Sequence, residues 1–164
     1  MPTHESDTLW TMIHDIRFAM LTSRGADGAL RSRPLTTQNR TLEESNPVLW
    51  FFVSRDSEVA ADAANESDVN VAYADPSKDR YVSIEGQAEL VEDRAQADAL
   101  WSLAAKAWFP GGPADPDLQL LRVRVSHAQY WDVKESKMVQ LLKMAKAAAT
   151  GERPRNVGEH RSVR

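Results

Sequence analysis

At 164 residues the chain fits one domain, long enough to bury on the order of two thirds of its unfolded surface without covalent staples. With 42% hydrophobic and 27% charged residues and a formal net charge of −4, it reads as an ordinary globular protein and argues against nonspecific nucleic-acid binding, which needs a basic stripe to displace phosphate counterions. The absence of cysteine excludes disulfides, thiolate zinc sites, iron–sulfur clusters and thiol catalysis, and no run approaches the ~18 apolar residues of a membrane span or the core of a signal peptide, so a cytoplasmic protein with no membrane partner is expected.

In chain order, Ser6-Asp7 is expected to cap a short helix carrying Leu9, Trp10 and Ile13 on one face, a lid over a barrel end. Residues 16–22 and 30–37 read as a hairpin around the turn signal Asp27-Gly28. A strand follows over 48–54, a helix over 57–65, and strands over 69–74 and 81–91, where Tyr81, Ser83 and Glu85 alternate with Val82 and Ile84. Gly86 is expected to relieve a bulge or a tight bend. Residues 93–108 read as a longer helix with Ala97, Leu100, Trp101 and Ala104 on one side, and 118–125 and 128–132 return to strand. Ser136 is expected to cap a last helix whose Met138, Leu141, Leu142 and Ala145 form a stripe that docks on the barrel or on a partner subunit. These spacings divide the chain into one domain over 1–150 and a mobile tail over 151–164.

Short strands at hairpin spacing, with few helices, point to a mainly β (α+β) chain closed into an antiparallel barrel. No Gly-x-Gly-x-x-Gly, phosphate-binding Gly-rich loop or internal repeat is present. His4, His14, His127 and His160 are scattered, and no metal site is expected.

The most informative stretch lies between two of these strands. Arg33-Pro34-Leu35 ends one, and Leu49-Trp50-Phe51-Phe52-Val53-Ser54 runs through Arg55-Asp56 into the helix opening at Ser57. A guanidinium, hydroxyls and a helix N-terminus beside an aromatic wall would suit a phosphate attached to a flat ring. The same residues describe equally well a strand pair followed by a capped surface helix. Trp101 reads as core, whereas Trp108 and Trp131 read as facing an interface or a ligand, which favours a homodimer.

Arg31-Ser32-Arg33-Pro34-Leu35, the segment from Leu49 to Ser57, Val69 to Pro76, Tyr81 to Gly86, Lys106 to Gly112 and Tyr130-Trp131-Asp132 together resemble, in this order, the general stress protein 26 branch of the pyridoxamine 5'-phosphate oxidase-like flavoproteins. The resemblance implies a six-stranded antiparallel split β-barrel (Greek key) with flanking helices, a homodimer, and FMN in clefts between subunits. It places Ser32, Arg33, Pro34 and Leu35 along the flavin, with Arg33 on the phosphate, Val53 and Ser54 on the ring and ribityl chain, and Ser57 on the phosphate again. Tyr81, Trp108 and Trp131 would come from the second subunit. The chain departs from the family pattern where a Lys or Arg follows that serine, because Glu58 and Val59 stand there; Arg31 and Arg55 are the cations that could substitute.

The function so implied is an FMN-binding general stress protein acting as a flavin-dependent oxidoreductase, with NAD(P)H or another small molecule as its further partner. No acid–base residue for a particular substrate stands out, and pyridoxamine phosphate oxidation is disfavoured because the basic and aromatic ending it would require is missing. Two alternatives stay open: a flavin binder, sensor or carrier without turnover, and a dimeric barrel without cofactor, which Glu58 keeps open.

Overall fold

In the computed structural model, which describes residues 4–133, 137–153 and 159–163, apolar–polar alternation sets the course of the chain. Every second residue is buried through most of β1 (Phe18–Arg24), β4 (Asp68–Asp75) and β5 (Arg80–Val91), as a sheet with one inward face requires. β3 (Val48–Ser54) and the first half of β6 (Leu118–Asp132) are buried on both faces. Their outer side is covered by α3 (Arg94–Leu100) and the tight turn Leu103–Ala107, which pack Ala97, Leu100 and Ala105 against Phe52, Leu118 and Leu120.

With β2 (Leu30–Thr36) at one end, the antiparallel order is β2-β1-β4-β5-β6-β3. One further bridge, Thr37 to Phe51, brings the end of β2 onto β3 and closes the curl. The Gln38 amide donates to the Trp50 carbonyl (2.8 Å), and the Asn39 side chain continues the ladder, accepting from the Trp50 amide and donating to the Val48 carbonyl, each at 2.7 Å. The expected antiparallel split barrel is the fold observed. Its interior is filled by Leu21, Leu49, Phe51, Val71, Tyr73, Ile84, Leu121, Val123 and Tyr130, and α1 (His4–Ile16) adds Leu9, Met12 and Ile13 as the expected lid.

Several boundaries differ from expectation for identifiable reasons. Ser6 and Asp7 lie inside the first turn of α1 rather than capping it. The long helix over 93–108 stops at Leu100, because Trp101 turns extended (φ −61°, ψ 138°) and sets its ring 6.0 Å from that of Phe52; Ala105, not Ala104, is the buried alanine beyond the break. The two expected strands over 118–125 and 128–132 are one strand, β6, with a bulge at the Glu85/Gly86 step of its partner, where Gly86 was expected to relieve one. A Cβ on Gly86 would stand 2.5 Å from the Arg124 carbonyl oxygen. Beyond Gly151, where no element was expected, β7 (Glu159–Val163) pairs with the second half of β6. In α4 (Lys137–Thr150), Met138, Leu141 and Leu142 are exposed, so the stripe does not dock on this chain's own barrel; the expected cap Ser136 lies outside the described residues. No helix among the described residues is long and apolar enough to cross a membrane.

Gly86→Ala should lower stability by about 1–3 kcal/mol, the usual effect of forcing an atom into a packed position. Denaturant unfolding reads it, and an unchanged midpoint would mean that the bulge relaxes without cost.

Candidate functional site

Beyond the Thr37–Phe51 bridge β2 and β3 part, and the split between them is a groove of about 780 Å³. Pro34, Leu35 and Thr36 come from β2, Phe52, Val53 and Ser54 from β3, and Ser57 and Glu58 from the start of α2 (Glu58–Asn65). Phe18, Trp108 and Phe109 complete an aromatic rim, with Phe109 buried and Trp108 81% exposed. Of the residues expected at the site, Arg33, Pro34, Leu35, Val53, Ser54, Ser57 and Trp108 therefore share one surface.

The others lie elsewhere on this chain. Ser32 points from the exposed side of β2, its hydroxyl 2.6 Å from that of Thr22. Tyr81 and Trp131 face each other across β5 and β6, and Trp131 stacks on His160 with ring centroids 4.8 Å apart. Neither lines the groove of its own chain, whereas Trp108, which the family pattern assigned with them to a second subunit, does.

At the Arg33 end the groove is electrostatically crowded. Arg33 donates to the Ser23 hydroxyl and reaches Asp62 Oδ2 at 3.4 Å and Glu58 Oε1 at 3.8 Å. Asp62 is buried and accepts from Ser23 at 2.6 Å, so it fixes both partners. Arg31 is held between Asp27 (2.5 Å) and Glu58 (3.3 Å), and its hydrogen bonds pull the Asp27 carboxyl down to about 2. Two guanidinium groups thus face three carboxylates. The Ser57 hydroxyl donates to the Ser54 carbonyl (2.6 Å) and accepts from the Ala60 amide (3.3 Å) as the cap of α2, while the Ser54 hydroxyl donates to Asp117 at 2.6 Å. Arg55, one of the two substitute cations, is turned away onto Glu92, the Gln119 side chain and the Pro116 carbonyl.

This arrangement can hold a flat apolar ring along the split with one anchored guanidinium at its end. For an FMN, Leu35, Phe52 and Val53 would face the ring, and Ser54 the ribityl chain. Its phosphate fits where Glu58 rotates out, which an exposed side chain can do, because Asp62 and Ser23 leave other Arg33 N–H groups unused.

Sequence reasoning missed Ser23, Asp62, Phe18 and Asp117. Asp62 carried a signal: on the buried face of α2 it sits between Val59 and Ala63, and a carboxylate on an apolar stripe needs a paired partner. The other three had none, since each reaches the site through strand pairing or a loop.

The model for pyridoxamine 5'-phosphate oxidase-like proteins matches residues 4–155, and the chain belongs to that family. Within it, a structure described as general stress protein 26 from Jannaschia sp. CCS1 superposes with a TM-score of 0.72 at 28% identity, covering 97% of each chain. The general stress FMN/FAD binding protein of Xanthomonas citri superposes at 0.67 with 33% identity, covering 80% of this chain and 89% of its own. Protein bli-3 of Neurospora crassa is 25% identical over 156 residues, 90% of this chain and 73% of its length. The resemblance to the general stress protein 26 branch is borne out.

Asp62→Ala should cost about 1–3 kcal/mol of stability by stranding Ser23 and Arg33, and Asp62→Asn, which keeps an acceptor, should cost less. Denaturant titration of both variants checks the order; equal losses would mean that helix packing, not hydrogen bonding, is the source.

Proposed function

We propose that the split groove binds FMN in a homodimer and that the protein is a flavin-dependent oxidoreductase of the general stress group, working in the cytoplasm. The observation that carries this reading is the gathering of Arg33, Pro34, Leu35, Val53, Ser54 and Ser57 on one surface, to which the family pattern assigns phosphate, ribityl chain and ring. Two-fold symmetry would make two equivalent clefts, cover the exposed Phe18 and Trp108, and bring Tyr81 and Trp131 of the second copy to each cleft.

A bound flavin supplies two-electron redox chemistry, and the chain's own residues bind, orient and exclude water. Leu35, Phe52 and Val53 offer the ring an apolar wall. Arg33, steadied by Asp62 and Ser23, meets the phosphate, and Trp108 closes the rim over the ring. NAD(P)H or another small molecule is the partner that would exchange electrons through the open side.

One observation favours a second reading, a flavin binder or carrier without turnover. The ionisable groups that line the groove among the described residues are Arg33, Glu58 and Asp117, and each is held by an ion pair or hydrogen bond. No free acid or base is left to serve a substrate. Mixing the yellow protein with NADH or NADPH without oxygen separates the two: bleaching followed by steady turnover on an added acceptor marks the enzyme, and an unchanged spectrum marks the carrier.

The absorption spectrum of freshly purified protein tests flavin binding itself. Arg33→Ala should weaken FMN by about 1.5–3 kcal/mol, roughly tenfold to more than a hundredfold, and Glu58→Lys should strengthen it, with riboflavin affected far less by either because it lacks the phosphate. Equal effects on the two flavins would move Arg33 from ligand binding to barrel support. Light scattering at micromolar concentration should give a dimer, and Trp108→Ala should loosen that dimer and FMN binding together.

A further inference from the structure

On the far side of the Thr37–Phe51 bridge from the flavin groove lies a separate pocket of about 350 Å³, at the small end of the usual range for ligand sites. Trp10 and Leu100 give it an apolar side, and Arg17 and Arg40 give it a cationic one, with His14 beside them. The charge balance is the reverse of that at Arg33. No carboxylate pairs with Arg17 or Arg40 among the described residues; Arg40 makes only a 3.4 Å hydrogen bond to the Trp101 carbonyl, and His14 stands 3.9 Å from Asp15, outside the pocket wall.

Two independent features mark the pocket as built for an occupant. Arg17 occupies the left-handed region at φ 63°, just after the end of α1, where glycine is the residue of choice. Its amide donates to the Ile13 carbonyl (2.8 Å) and its carbonyl accepts from the Thr37 amide (3.0 Å), so the backbone is locked in a conformation that costs an arginine energy, with the side chain on the pocket wall. In addition, the Ser102 hydroxyl, on a residue that lines the pocket, is buried without a hydrogen-bond partner. Buried polar atoms of this kind are uncommon and call for a missing donor or acceptor.

We propose that this pocket is an anion site that takes the phosphate or carboxylate of a small organic molecule on Arg17 and Arg40, with Ser102 donating a further hydrogen bond. Guanidinium groups match either anion with paired N–H donors. Trp10 and Leu100 cover the apolar body of the ligand. Gln38 belongs to the walls of both this pocket and the groove, so the two sites are neighbours. The anion site itself stands on residues that the flavin does not use.

Isothermal titration of the full-length chain with phenyl phosphate, benzoate and the neutral benzyl alcohol tests it, whether or not the protein is yellow. Saturable binding of one or both anions, and none of the alcohol, is expected; which anion binds tells phosphate from carboxylate. Arg17→Gly and Arg40→Gln should each weaken that binding about tenfold or more. Arg17→Gly should at the same time leave the melting temperature unchanged or raised, because glycine relieves the backbone, and this separates a binding role from a structural one. Failure of both anions to bind at millimolar concentration, or binding that survives Arg17→Gly and Arg40→Gln, would overturn the proposal while leaving the flavin reading where it stands.

Discussion

A single backbone bridge between Thr37 and Phe51, extended by the Asn39 side chain, holds the two ends of the sheet together. On one side of it the Thr37 hydroxyl is 2.6 Å from that of buried Tyr73, which ties the seam into the core. Burial also pushes the Tyr73 phenol well up, so this bond stays a bond between neutral hydroxyls across the working range of a protein. Because the seam is so short, the strands diverge on both sides of it. The groove and the smaller pocket are the two gaps that this divergence leaves, and Gln38 stands where they meet.

The two gaps differ in charge for reasons that lie in the elements bordering them. The groove borders α2, whose Glu58 and Asp62 are turned toward β2 and occupy the two arginines there. An arginine already paired with carboxylates has less to offer a doubly charged phosphate than a free one, although Asp62 also keeps it from wandering. The pocket borders the C-terminal end of α1 and the stretch after β2, and the residues these elements put on its wall include Arg17 and Arg40 but no carboxylate. Positive charge at a helix C-terminus is favourable in its own right, so Arg17 sits where the helix dipole welcomes it and remains available to a ligand.

Most of the barrel could be read from the residues. Alternation located β1 to β5 within a residue or two, and Asp27-Gly28 located the hairpin, because these are local rules of side-chain facing and backbone freedom. What failed was where tertiary contacts override local pattern. Residues 93–108 have helical periodicity throughout, yet packing of Trp101 on Phe52 breaks the helix. Residues 159–163 have no pattern of their own and become a strand only because β6 offers an open edge to them, with Val163 packing against the core. The candidate site was legible in part: seven of its residues carry a motif that can be matched in order, but Ser23, Asp62 and the pocket around Arg17 come together only through folding.

The groove is also an open edge of β2, a place where another chain could in principle add a strand. Pro34 alters that. The ladder between β1 and β2 runs unbroken through the Met20–Pro34 pair, and proline is accepted in a strand where the donor it lacks would have faced away from its neighbour. The missing N–H is therefore one that the free edge would have needed to pair with an incoming backbone. A peptide laid along the split would find a gap in the row of donors and an arginine at its end, whereas a flat ring asks nothing of the backbone there. One ring-constrained residue thus screens the opening against self-association of the sheet while leaving it open to small molecules.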